Sequence, residues 1–191
     1  MPSPPFDQAR TVRFDLARGS VVHEGARHVL VPIDALDELA KSSAPVVTAV
    51  AELIGAAMGR RIKTKLGSPR GASLEAFANQ LGGELAIAGY GTLALERWGR
   101  AMVIALEQTP LASSLVVPLL ASALGTAAAQ RVWCTLLSRE DVAPRSERVF
   151  VASIRVLVSS EATATRVRGW LDAKIPWGEV LTRLHSGGAP A

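Results

Sequence analysis

Cysteine occurs once in these 191 residues, at Cys134. That excludes an internal disulfide framework and any zinc site built from several thiolates. Aromatics are scarce too, at 5% of the chain, so a core has to be assembled chiefly from alanine, valine and leucine. No apolar run reaches the roughly 18 uninterrupted residues that a membrane helix needs. The richest stretch, Leu111 to Ala129, is interrupted by Pro118 and Gly125 and carries several hydroxyls. A Gly-x-Ser-x-Gly nucleophile elbow is missing as well. Residues 1–10, MPSPPFDQAR, contain no continuous apolar stretch and are expected to be a flexible leader, not a signal peptide. Residues 186–191 are expected to be a loose tail, and a cytoplasmic location is the default expectation.

What is present is a globular composition, 49% apolar and 20% charged. The length suits one domain with a real core, expected over residues 11–185. The net charge of +4 is mild and gathers in one segment holding Arg60, Arg61, Lys63, Lys65 and Arg70. Neither interleaved aromatics nor a reading helix accompanies it, so nucleic acid is not the expected partner. Cations near a helix C-terminus are the ordinary reading. An acidic protein partner is the functional one, with Trp98 as a possible interface anchor.

Val12, Phe14 and Leu16, then Val21 or Val22, then Val29 and Val31 predict short strands, with turns at Gly19 and Gly25. His23 and His28 flank the second turn with Glu24 as the one nearby carboxylate, and are expected to be exposed polar positions, not metal ligands. Asp34 is expected to cap a short helix, with Asp37 as its capping-box acid. Ala44 to Leu66 predicts a long helix with an apolar stripe through Val46, Val50, Leu53, Ala57 and Ile54, Met58, Ile62. Gly55 and Gly59, four apart, suit close helix approach. Ser73 caps the next helix, which places Leu74, Phe77, Leu81 and Leu85 on one face.

The stretch AGYGTLALERWGR holds a Gly-x-Gly. A phosphate loop follows a strand and opens a helix; here the glycines close a helix and open a strand. Gly89 and Gly91 therefore read as cap and turn residues. Thr92 to Arg97 and Arg100 to Glu107 form an antiparallel hairpin around Trp98 and Gly99, with Leu93 and Leu95 on one face and Met102, Ile104 and Leu106 on one face. Leu111 to about Gln130 is a small-residue helix packed on the sheet or on a twin subunit. Arg131 to Ser138 is a third long strand, REDVAPRSE a polar turn, and RVFVASIRVLVSS a central strand. Two helices follow, one capped by Ser159 or Ser160 and one starting at Pro176, whose role is to cap the sheet or to hold a dimer. The fold class is thus α/β in the α+β sense: a central antiparallel sheet of about four strands packed by long helices, with short N-terminal strands and extra C-terminal helices.

This order, together with VLVPIDALDELA, ELIGAAMGRRI, LEAFANQLGGELAIAGYGTLALERWGRAMVIALEQTPLA, LGTAAAQRVWCTLLSRED and VFVASIRVL, resembles the vinyl-reductase-type domain family, relatives of the small subunits of TRAPP vesicle-tethering complexes. The likeness runs over a core of about residues 29–158, with residues 160–185 as a helical extension. It implies helices against one antiparallel sheet, dimerisation through helices, and an apolar cavity used for small aromatic or acyl ligands, or else an assembly role. Ligand-sensing members are expected to carry a cysteine zinc site near the last strands, which a chain with Cys134 alone cannot build.

Chemistry has few candidates. Cys134 lies in an alternating strand and is expected to be a core thiol. Glu96 and Glu107 read as strand surface charges, and His185 as solvent-facing. No catalytic residue, metal or cofactor is expected. The expected function is that of a non-enzymatic, homodimeric TRAPP-like interaction or regulatory subunit using Arg60, Arg61, Lys63, Lys65, Arg70 and Trp98. The alternative is a small-molecule sensor that holds an apolar ligand between helices and sheet, lined by Met58, Phe77, Leu81, Met102, Trp133 and Phe150.

Overall fold

The structure, a computed structural model, describes residues 12–15, 17–67, 73–99, 101–142 and 151–186. Arg70 and Phe150 lie outside the described residues, as do the expected leader, the end of the tail, and most of the expected polar turn.

Three short strands, β1 (Val12–Asp15), β2 (Ser20–His23) and β3 (Ala26–His28), form a small antiparallel sheet in the order β1-β2-β3. Helices α1 (Ile33–Ala40), α2 (Ala44–Leu66) and α3 (Leu74–Ile87) follow. The hairpin β4 (Thr92–Trp98) and β5 (Ala101–Thr109) comes next, then α4 (Ser113–Ala128), β6 (Trp133–Val142) and β7 (Val151–Ser159). The chain continues through α5 (Glu161–Asp172) and α6 (Trp177–His185). The main sheet is antiparallel in the order β4-β5-β7-β6, which makes β5 and β7 its central strands. This is the α/β architecture expected from the sequence.

Alternation along the strands decides which layer each side chain joins. Ile104 and Leu106 of β5 and Ile154 and Val156 of β7 face α2, α3 and α4 in the larger core. Val103 and Leu157 face the other way and meet Val167 of α5 and Val180 and Leu181 of α6. The C-terminal helices therefore cap the second face of the sheet, one of the two roles expected for them. Ser160 caps α5 by accepting from the Thr163 amide.

The larger core turns on how α2 meets α4. A Cβ added at Gly55 would sit 2.2 Å from the Leu119 carbonyl oxygen, and one at Gly59 would sit 2.5 Å from that of Ala123. Only glycine lets the two backbones approach so closely. The Ser122 hydroxyl donates to the Glu52 carbonyl at 2.7 Å, tying the same helices.

That contact corrects the expected orientation of α2. Its buried face runs through Val47, Ala51, Gly55, Met58, Gly59 and Ile62, while Val46 and Leu53 of the expected stripe are exposed. Three glycine and alanine positions, Ala51, Gly55 and Gly59, outweigh larger apolar residues because close approach needs small side chains. The start of α1 also differs: Pro32 is its N-cap, with no side-chain cap, and Asp34 stands in the first turn. Val29 and Val31 lie beyond β3 and are exposed. β6 runs on to Val142, through residues expected to turn, because a bulge at Leu137 resets its pairing with β7. The Gly-x-Gly reading agrees with the backbone: Gly89 and Gly91 both have positive φ at the α3–β4 turn.

Replacing Gly55 with alanine should therefore destabilise the fold by about 1–3 kcal/mol, although alanine is the better helix former. Gly169→Ala on α5, where an added Cβ meets nothing within 4 Å, should be neutral or stabilising by up to about 1 kcal/mol. Urea unfolding of the two variants beside the parent chain checks both signs.

Candidate functional site

Two cavities flank α2 and α3. The first, of about 320 Å³, lies where the end of α2, the start of α3 and the end of α4 converge over β5 and β7. Its apolar walls are Ile62, Leu66, Phe77, Met102, Leu124 and Val158. Ser73, which caps α3 by accepting from the Ala76 amide at 3.1 Å, stands at its edge with Lys63 and Gln130. The space exists for local reasons. The Gly55 and Gly59 contact fixes α2 and α4 upstream, and α4 then ends on Ala127 and Ala128, too small to fill the gap.

The second cavity, about 310 Å³, lies beneath the N-terminal sheet against the opposite side of α2 and α3. Ile54, Met58 and Ile87 give it an apolar wall; His23, Arg61 and Glu84 give it a charged one. The Glu84 side chain is wholly buried. The Arg61 Nε and Nη2 groups both donate to its Oε2, at 2.8 and 2.6 Å. Its Oε1 lies 3.9 Å from His23 Nε2 and 3.9 Å from Lys65 Nζ, and has no hydrogen-bond partner. Lys65 pairs with Glu24 at 2.5 Å. His23, expected to be exposed, is only 2% exposed, because the β2 pairing turns it inward. Burial pushes its pKa below 6.5, with nearby Glu84 pulling the other way. His28 is shifted down likewise, by burial first and then by Arg61.

His23, Glu24 and Glu84 offer donor atoms within 4.8 Å of one another. The two carboxylates already face two permanent cations, Arg61 and Lys65, so the cluster is balanced by the protein's own charges.

The residues expected at a site are thus divided. Phe77 and Met102 line the first cavity, and Met58 lines the second. Leu81 is packed in the solid core at 1% exposure. Trp133 opens β6 half-buried, with the Arg131 guanidinium over its ring. Of the described basic residues, Lys63 borders one cavity, Arg61 borders the other, Lys65 pairs with Glu24, and Arg60 is exposed. Trp98 stands edge-on to Trp177 of α6 and donates from Nε1 to Glu96 at 3.0 Å. The signal for the buried cluster lay in Glu84, a carboxylate one turn from Leu81 on the inner side of α3.

Of the remaining candidates for chemistry, His185 is exposed at the end of α6, as expected, and the other three are engaged or buried. Burial raises the Cys134 thiol to about 12, so it is not a nucleophile near neutral pH. Glu96 faces Arg155 at 3.4 Å, and Glu107 accepts from the Ser153 hydroxyl at 2.9 Å. Among the described residues no helix is long and apolar enough to cross a membrane.

No protein-family model and no curated protein matches the sequence. A solved structure does share the fold. It is the crystal structure of the phenol-responsive sensory domain of the transcription activator PoxR with phenol, at a TM-score of 0.53 and 14% identity. The match covers 96% of this chain and 94% of that one.

Two outcomes follow from the buried cluster. Arg61→Ala leaves the Glu84 carboxylate buried without its closest partner and should cost about 3–5 kcal/mol in urea unfolding. Acid should also weaken the fold. The pKa of folded His23 lies below 6.5, so as the pH falls the unfolded chain binds the proton first. Stability is expected to decline as pH drops through 6.5 and to go on declining until the folded value is passed. His23→Phe should reduce that slope when urea midpoints at pH 7.5, 6.5 and 5.5 are compared, with His28 contributing the rest in the same direction.

Proposed function

We propose that this chain is a small-molecule sensing domain that holds an apolar ligand, aromatic or acyl, in the cavity bounded by α2, α3, α4 and the sheet. The observation that carries the reading is that cavity: about 320 Å³, within the size range of small-molecule sites, with apolar walls and a few polar groups at its edge. The fold shared over nearly the whole chain with a phenol-responsive sensory domain supports it. So does the vinyl-reductase-type resemblance, whose members keep such a cavity between helices and sheet. The interaction-subunit reading has less support, because the fold is shared with a sensory domain.

The mechanism is one of shared packing. Three helix ends and two strands border one gap. A ligand that fills the gap gives them a common partner and couples the end of α2 to the start of α3. Ligand occupancy thereby becomes a change in the rigidity of the α2–α3 region, which a neighbouring domain or subunit reads. The homodimer expected from the sequence would use the uncovered side of α2, where Val46 and Leu53 are exposed.

Native mass spectrometry of protein purified from its own host should find a small organic molecule bound. A ligand so identified, at a hundred times its Kd, stabilises by about 2.7 kcal/mol. That corresponds to a rise in Tm of about 5–10 °C for a chain of this size. Met102→Trp, which fills the cavity from β5, should remove the rise while leaving a cooperative unfolding transition. A ligand whose stabilisation survives Met102→Trp would refute the assignment.

A further inference from the structure

We propose that the cavity beneath the N-terminal sheet is a second ligand site, which takes a neutral, apolar molecule carrying one hydroxyl. The site shares no described lining residue with the first cavity. Its occupant is therefore independent of the sensing assignment above.

The argument begins with two atoms. His23 Nε2 and Glu84 Oε1 are both buried, both lack a hydrogen-bond partner, and lie 3.9 Å apart at the same wall of the cavity. Buried polar groups left unpaired are costly, and native proteins rarely keep two side by side. One oxygen placed about 2.8 Å from each would satisfy both, with an angle near 90° at that oxygen.

The chemistry of the two atoms selects the bridging group. A carboxylate oxygen only accepts, so the ligand must donate to Glu84. A neutral imidazole in its Nε2–H form donates, so the ligand must also accept from His23. A hydroxyl does both at a single atom. A ketone or ether cannot donate, and a carboxylate would be repelled by Glu84. A protonated amine would meet Arg61 and Lys65, which already neutralise Glu84 and Glu24. A neutral head is what this balanced cluster admits.

The rest of the cavity sets the body of the ligand. Its volume of about 310 Å³ is some ten times the roughly 30 Å³ share of one water. Away from the cluster it is bordered by Ile54, Met58 and Ile87. An apolar body of six or seven carbon atoms fits this space.

Cyclohexanol and cyclohexanone form a suitable pair of probes, alike in shape, with only the alcohol able to donate. Met58 lines this cavity and Met102 the other, so methyl NMR of methionine-labelled protein reports each site separately. Cyclohexanol is expected to shift the Met58 methyl and to bind at least tenfold more tightly than cyclohexanone. His23→Phe, which keeps a ring and loses Nε2, should weaken cyclohexanol about tenfold and abolish the preference, whereas Met102→Trp should leave both unchanged. Equal binding of the ketone, shifts confined to Met102, or no shift at Met58 up to the solubility limit would each overturn the proposal. The last outcome would mean that the two atoms are bridged by water only. The comparison of the two probes on the unaltered chain decides the matter even where His23→Phe fails to fold.

Discussion

The close approach of α2 and α4 is the contact on which the rest of the structure depends. With Gly55 against the Leu119 carbonyl and Gly59 against that of Ala123, backbone meets backbone and leaves no room for even one methyl group. A contact of this kind is fixed in rotation as well as in distance, since only the two-glycine side of α2 can enter it. The helix is turned so that Val47, Met58 and Ile62 go inward while Val46 and Leu53 are left at the surface. Both cavities inherit their walls from that choice. One opens where α4 runs out into alanines, the other on the side of α2 that carries Ile54, Met58 and Arg61.

Around this contact the molecule is arranged in layers. The four-stranded sheet separates a larger core, shared with α2, α3 and α4, from a smaller one closed by α5 and α6. The C-terminal helices thus belong to the body of the domain. The N-terminal sheet is joined to that body through polar contacts that include Lys65 with Glu24 and the neighbourhood of His23 and Glu84. A wholly buried glutamate is tolerable there because Arg61 holds its Oε2 by two hydrogen bonds, a geometry suited to the guanidinium fork. Its other oxygen is left without a partner at the wall of the second cavity.

Much of the fold was legible because it rests on local signals. The reversal of the Gly-x-Gly order showed that residues 89–91 close a helix and do not cradle a phosphate, and the positive φ of both glycines agrees. The serine caps of α3 and α5, the hairpin faces and the start of α6 after Pro176 were likewise readable from a few neighbouring residues. The site was legible only in part. Phe77 and Met102 do line one cavity, yet Leu81, from the same stripe of α3, is consumed by core packing. Periodicity ranks residues by the face they occupy; it does not tell a filled space from an empty one.

Spacing and residue type alone determined the element order, the antiparallel hairpin, the small-residue helix that needed a close neighbour, and the core position of the lone Cys134 within an alternating strand. Only the tertiary structure decided which side of α2 is buried, because the glycine pair outranks the larger apolar stripe once α4 is brought against it. It also decided that His23 faces inward towards Glu84 and Arg61. Those three residues sit on three separate elements, so their meeting depends on how the N-terminal sheet settles over α2 and α3, a long-range outcome that no local pattern encodes.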